Sequence, residues 1–108
     1  MKLPVGKARY GLMLREDGIV MDDGTTTRIS ENHYHMTTTT AQAANVLSHL
    51  EYYLQLVWPE LNVNVVSTTE QWAGAAIAGP NSRSLLQKLF PDLDVSNEGL
   101  PFMGYVES

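Results

Sequence analysis

The sequence predicts an α+β fold: a mainly antiparallel sheet with two helices on one face, in a ferredoxin-like, split βαβ arrangement. Three observations point there. Short apolar runs separated by turn residues fill the first third, one of them with a period of two. Two later stretches carry apolar residues at three- and four-residue steps, and each ends at a proline, Pro59 and Pro91. The resulting order is strand, strand, strand, helix, strand, strand, helix, strand, and runs of strands broken by helices suit a sheet that carries helices on one side.

In the first strand Tyr10, Leu12 and Leu14 alternate with Gly11, Met13 and Arg15. Asp17-Gly18 supplies the backbone freedom of a tight hairpin. The returning run holds Ile19, Val20 and Met21, then Thr25, Thr26, Thr27 and Ile29, with Asp22-Asp23-Gly24 interrupting its middle. A glycine there marks a bulge or a close approach of another backbone. Ser30-Glu31-Asn32 forms the next turn and residues 33–38 a third short strand. Thr39-Thr40-Ala41-Gln42 fits a capping box, with the Thr39 hydroxyl accepting an early amide and Gln42 reaching back. Ala43, Val46, Leu47, Leu50, Leu54 and Val57 then line one face of a helix that Pro59 stops. Strands are expected over 61–67 and 72–78. Gly79-Pro80 opens a second helix with proline in its first turn and an apolar stripe of Leu85, Leu86, Leu89 and Phe90. The segment 100–106 reads as a strand just begun, and both ends read as cut, so 1–108 is expected to be a single partial domain.

Composition narrows the function classes. The chain has 108 residues, 44% hydrophobic and 18% charged, which suits a folded domain with one modest core and not a disordered segment. Seven basic against twelve acidic side chains leave a net charge of −5, and a field of that sign repels phosphate backbones, so no nucleic-acid partner is expected. No apolar run approaches the roughly 18 residues a membrane span needs, and no membrane partner is expected. The absence of cysteine excludes disulfides and thiolate chemistry and fits a reducing, cytoplasmic setting.

Among the candidate chemical groups, Asp22-Asp23 stands out. Neighbouring strand residues face opposite sides, so only one of the two can point into a given site. A carboxylate set mid-strand beside Ile19 and Met21 and partly buried would have a raised pKa suited to proton transfer. The other reading is a hydrated strand end or bulge with ordinary Asp-Gly turn chemistry. His33 and His35 share a strand face, but no third ligand has a recognisable spacing, and no metal is expected. The threonine run 37–40 is explained by capping and strand propensity, and Tyr52, Tyr53 and Trp58 by packing.

Three segments match a known family in order. Glu16-Asp17-Gly18-Ile19-Val20-Met21-Asp22-Asp23 resembles the acidic turn, apolar strand and paired aspartates of the glycine cleavage aminomethyltransferases and their relatives fused to sarcosine- and dimethylglycine-oxidising flavoproteins. Thr39 falls where those transferases place an asparagine before a capped helix, and Ile77-Ala78-Gly79-Pro80-Asn81 resembles their later strand-to-helix junction. More narrowly, Val5-Gly6-Lys7-Ala8-Arg9-Tyr10-Gly11-Leu12-Met13, Met21-Asp22-Asp23-Gly24-Thr25-Thr26, Val57-Trp58-Pro59-Glu60-Leu61 and Leu100-Pro101-Phe102-Met103-Gly104 are similar to the C-terminal region of the alpha subunits of heterotetrameric sarcosine oxidases.

The resemblance implies a folate-binding, aminomethyltransferase-type subdomain. It implies an oxidoreductase holoenzyme that oxidises sarcosine at a flavin in another subunit. The one-carbon unit is passed to tetrahydrofolate, and glycine, methylenetetrahydrofolate and hydrogen peroxide are formed. FAD, FMN and NAD are then expected elsewhere in the holoenzyme, with the rest of the alpha chain and the beta, gamma and delta subunits as partners; the isolated stretch is expected to be inactive. By motif position the catalytic, folate-facing carboxylate is Asp23, and Thr37, Thr39 and Tyr10 fall at cofactor-lining positions, while Asp22 supports the turn or sheet. Gly24 and Thr39 depart from the family pattern: Gly24 replaces an apolar residue, and Thr39 offers one hydroxyl in place of an amide's donor and acceptor. Two other readings remain open on the residues: an aminomethyltransferase acting on a lipoyl carrier protein, and a scaffold or interface module without folate chemistry.

Overall fold

A computed structural model describes residues 2–107; Met1 and Ser108, the first and last residues of the expected partial domain, lie outside them. Three strands, β1 (Lys7–Leu14), β2 (Val20–Arg28) and β3 (Tyr34–Met36), form one sheet in the order β1-β2-β3. Two α-helices follow, α1 (Ala43–Tyr52) and α2 (Ser82–Leu89). The class is therefore α+β, built on an antiparallel meander. By contact density the chain divides into two compact units, one of Tyr10–Thr25 and Met36–Ala73, the other of Met1–Arg9, Thr26–His35 and Gly74–Ser108.

In the first of these units the β1–β2 hairpin forms where the Asp-Gly pair predicts it. The Gly18 N–H reaches the Arg15 carbonyl at 2.9 Å, the Arg15 N–H reaches Ile19 at 2.9 Å, and Gly18 takes φ 80°. One glycine supplies the left-handed residue after the turn, so Asp17 keeps an ordinary backbone. The Asp17 side chain closes the loop, accepting the Ile19 N–H at 3.0 Å and pairing with the Arg15 guanidinium at 2.6 Å. That guanidinium holds the Asp17 carboxyl below the usual carboxylate range.

Strand β2 runs unbroken for nine residues through Asp22-Asp23-Gly24, which corrects the expected interruption. The pairing keeps one register from Arg15–Ile19 at the turn to Gly6–Arg28 at the far end, leaving no net bulge. Gly24 instead answers to the other reading, close backbone approach. A Cβ built on it would stand 1.9 Å from the Thr37 carbonyl oxygen. Strand β3 is shorter than predicted, but Thr37 extends its pairing by bonding with Thr25.

The helix that follows begins at Ala43 with Gln42 as its cap and no side-chain capping bond, so the predicted Thr39–Gln42 box is absent. The Thr39 amide is already engaged with Asp22, and residues 39–42 form a backbone turn closed by the Gln42 N–H on the Thr39 carbonyl at 3.1 Å. Val46 is the buried side chain of α1. The helical run widens into a π-helical turn, Tyr53–Val57, and ends at Trp58 ahead of Pro59. Segment 61–67 alternates apolar and polar residues without entering a ladder, because alternation fits a strand but cannot supply a hydrogen-bonding neighbour.

In the second unit the expected strand over 72–78, whose C-terminal part falls here, is likewise irregular. Gly79 takes φ 113° and its carbonyl accepts the Ser82 N–H at 3.1 Å, so α2 starts two residues after Pro80 with Asn81 as cap. The Arg83 guanidinium donates to the Val95 and Leu100 carbonyls, fixing the loop beneath which Val95 is buried. The predicted last strand amounts to a single antiparallel bridge between Lys7 and Gly104, flanked by bonds from Ala8 to Met103 and from Tyr105 to Gly6.

Candidate functional site

The two aspartates sit mid-strand in β2 and are treated differently by the fold. Asp22 is buried, with 6% of its surface exposed, and its Oδ2 accepts the Thr39 N–H at 2.9 Å. Burial pushes its carboxyl up. The opposing bonds from the Thr39 amide, the Asp23 amide and the Thr39 hydroxyl outweigh that and leave it below the usual carboxylate range. The expectation that a buried carboxylate here would have a raised pKa is thus reversed. A charge-assisted bond from a backbone N–H stabilises the ionised form. Asp22 ties the segment entering α1 to the sheet, which is the supporting role the sequence suggested for it.

Asp23 is half-buried, and its Oδ2 accepts the Tyr10 hydroxyl at 2.6 Å. The partners are thirteen residues apart and come together because β1 and β2 are hairpin neighbours. The bond to the carboxylate is the main cause that raises the Tyr10 phenol above its ordinary value. Tyr10 itself is 57% exposed, so its ring offers a face beside the carboxylate.

Thr37 and Thr39 serve the backbone. The Thr37 N–H donates to the Thr25 carbonyl at 2.8 Å, and the Thr37 Oγ1 accepts the Thr25 N–H at 2.9 Å and lies 2.9 Å from the Thr25 hydroxyl. One threonine side chain thereby replaces a backbone acceptor just beyond the end of β3, and this tight pairing is what Gly24 makes room for. The four positions singled out from the sequence therefore form two local pairings, Tyr10 with Asp23 and Thr39 with Asp22, and Thr37 is bonded to Thr25.

What sequence reasoning missed lies at the hairpin tip. Tyr53 donates its hydroxyl to Glu16 Oε1 at 2.8 Å. Its ring packs 4.8 Å from His49 and 4.8 Å from Trp58. The sequence expected Tyr52, Tyr53 and Trp58 to pack, and Tyr53 does meet both; the contact with His49 was not foreseen, and the Glu16 bond, spanning 37 residues, left no local signal. Among the described residues no group of three or more His, Asp or Glu side chains could hold a metal ion. No helix among them is long and apolar enough to cross a membrane.

The model of the GCVT N-terminal domain matches residues 1–108. The chain belongs to this family. It is 58% identical over 107 residues to the sarcosine oxidase subunit alpha of Rhizobium meliloti (strain 1021), covering 99% of this chain and 11% of that protein. It is 52% identical over 104 residues to the sarcosine oxidase subunit alpha of Corynebacterium sp. (strain P-1), covering 96% of this chain and 11% of that protein. An aminomethyltransferase of Thermus thermophilus is 37% identical over 97 residues, covering 90% of this chain and 26% of that protein. The chain thus spans about one-ninth of the length of the sarcosine oxidase alpha subunits it matches.

Proposed function

We propose that this chain is part of the folate-binding region of a sarcosine oxidase alpha subunit and that Asp23 is its reactive carboxylate. The observation that carries the reading is the Tyr10–Asp23 pair, an ionisable group set mid-strand, half-buried and held at 2.6 Å by a phenol. The greater identity to sarcosine oxidase alpha subunits than to aminomethyltransferases supports the oxidase over the lipoyl-carrier reading.

The residues present suit a reduced pterin. Its ring N–H groups need acceptors, which the Asp23 carboxylate provides, and its flat face needs an apolar or aromatic wall, which the exposed Tyr10 ring provides. Tetrahydrofolate, when bound, supplies the nucleophilic nitrogen that takes up a one-carbon unit from oxidised sarcosine. Asp23 would accept the proton that nitrogen gives up, and its negative charge would stabilise the cationic iminium carbon from which glycine departs. Tyr10 donates to Oδ2 and keeps the carboxylate oriented. Thr37 lines the site through its methyl group, because its hydroxyl is engaged with Thr25. Thr39, with its amide on Asp22, fixes the loop beside it.

In the complete domain this stretch forms part of a ferredoxin-like, split βαβ arrangement. The flavins, NAD and the beta, gamma and delta subunits belong to the holoenzyme, in a cytoplasmic setting, and the isolated stretch is inactive. Calorimetric titration of the intact protein with tetrahydrofolate tests the reading. Saturable heat that Asp23→Asn and Tyr10→Ala both weaken supports it; no heat from the unmodified protein favours a scaffold module.

A further inference from the structure

Within the unit of Tyr10–Thr25 and Met36–Ala73, the helical run is tied to the β1–β2 hairpin at both ends. Before its start the Thr39 N–H bonds to Asp22 at 2.9 Å, and at its far end the Tyr53 hydroxyl bonds to Glu16 at 2.8 Å. The spans match. Four residue steps from Gly18 to Asp22 cover about 13 Å of extended chain, and ten steps from Ala43 to Tyr53 cover about 15 Å of helix. Apolar anchoring between the ties is sparse: Val46 is the buried side chain of α1, and none is buried in the π-helical turn. The Thr25–Thr37 and Asp22–Thr39 bonds both lie at the Asp23 end of the hairpin. The Glu16 bond is the tie at the tip, and it fixes the tilt that the others leave free.

The π-helical turn begins at the residue that makes this tie. The Trp58 N–H closes on the Tyr53 carbonyl at 2.7 Å, five residues back. In an α-helix residues five apart lie about 140° apart around the axis, whereas a turn closed over five residues brings them towards one side. The Trp58 ring accordingly lies 4.8 Å from the Tyr53 ring. His49 packs 4.8 Å away, and Tyr52 meets the ring edge-on at 5.5 Å. Tyr53 is therefore held by three neighbours with its hydroxyl on Glu16, and little rotamer freedom is left to lose when the bond forms.

Tyr10 and Asp23 stand on the hairpin, six and seven residues from Glu16, while Thr37 and Thr39 belong to the chain entering α1. The candidate site is thus walled by two elements, and the angle between them sets where the Asp23 carboxylate stands against a molecule held between them. We propose that Tyr53 and Glu16 are a positioning pair for the Asp23 carboxylate, fixing the tilt of the hairpin on the helical run. This rests on the folate reading of the site; the pair acts through the hairpin and takes no part in the chemistry.

The test measures three quantities in the intact protein: sarcosine turnover, the KM for tetrahydrofolate in methylenetetrahydrofolate formation, and the formaldehyde released. Tyr53→Phe keeps the packed ring and removes the donor; it should raise that KM by about twofold to tenfold, with sarcosine turnover unchanged. Glu16→Ala should do the same, and the double variant should be no worse than either alone. Glu16→Gln, whose amide oxygen still accepts the hydroxyl, should restore the unmodified KM. An unchanged KM in Tyr53→Phe, where Asp23→Asn still diverts the carbon to formaldehyde, overturns the proposal and leaves the folate reading standing. Additive effects in the double variant, no rescue by Glu16→Gln, or a matching fall in sarcosine turnover overturn it as well. If Asp23→Asn itself leaves the products unchanged, the folate reading fails, and the pair has no reactive carboxylate to position.

Discussion

Replacing Gly24 by alanine should cost more than any other glycine substitution in the sheet. The added methyl would stand 1.9 Å from the Thr37 carbonyl oxygen and 2.8 Å from its carbon, both backbone atoms that no side-chain rotation can clear. Reaching even 3.0 Å, below which real Cβ contacts essentially never fall, requires a shift of about 1.1 Å between the strands. The three shortest bonds across that gap between Thr25 and Thr37 are 2.8, 2.9 and 2.9 Å long. At about 0.5–1.5 kcal/mol each they are worth roughly 1.5–4.5 kcal/mol. Alanine returns about 0.4–1 kcal/mol by stiffening the unfolded chain. The net loss is about 0.5–4 kcal/mol, towards the lower end because the pair is partly solvated. Hydrogen exchange of the intact protein should therefore show the Thr25 and Thr37 amides losing protection by at least about twofold. Gly11→Ala in β1, where an added Cβ meets nothing within 4 Å, is the comparator and should leave protection equal or slightly higher. Unchanged or increased protection in Gly24→Ala would refute the close-approach account of this residue.

Three further outcomes follow from the same geometry. Because the carboxylate of Asp23 raises the Tyr10 phenol, the bond between them is fully present below the ordinary tyrosine pKa and is lost as pH rises through the raised folded value; ultraviolet titration should show Tyr10 ionising late together with Tyr53 and Tyr105, and Asp23→Asn should move one phenol of that late group back towards the ordinary value. Asp22 is held low, so its contribution is present above the ordinary carboxylate pKa and disappears as pH falls through its depressed value; the Thr39 amide should lose exchange protection on acidification, and Asp22→Asn should abolish that pH dependence. Val46, 3% exposed in α1, should cost about 1–3 kcal/mol as alanine, read as faster exchange across 43–52.

The parts of the fold that were legible in the sequence are those whose cause is local. Asp17-Gly18 forms its hairpin with bonds that span three and four residues, and the apolar steps of α1 lie on one helix surface. Segment 61–67 carries an equally clear alternation, yet a strand exists only when a neighbour takes its amides, and that neighbour is not written into the segment. The start of α1 was misplaced for a related reason. Thr39 and Gln42 have the right spacing for a capping box, but Asp22, seventeen residues earlier, takes the Thr39 amide first. At the candidate site, motif position singled out Asp23 and Tyr10, whereas their mutual bond appears only once the hairpin register is known. The raised pKa expected of a buried aspartate failed because sequence shows burial more readily than it shows which amides arrive to offset it.

The account turns on Asp23, and the most direct test of the proposed function is the fate of the one-carbon unit in the intact protein carrying Asp23→Asn. Sarcosine turnover should continue while methylenetetrahydrofolate formation falls and free formaldehyde rises in its place, with Asp22→Asn as the structural control. An unchanged ratio of the two products at saturating tetrahydrofolate would contradict the account and leave Asp23 as a strand residue with no part in the chemistry.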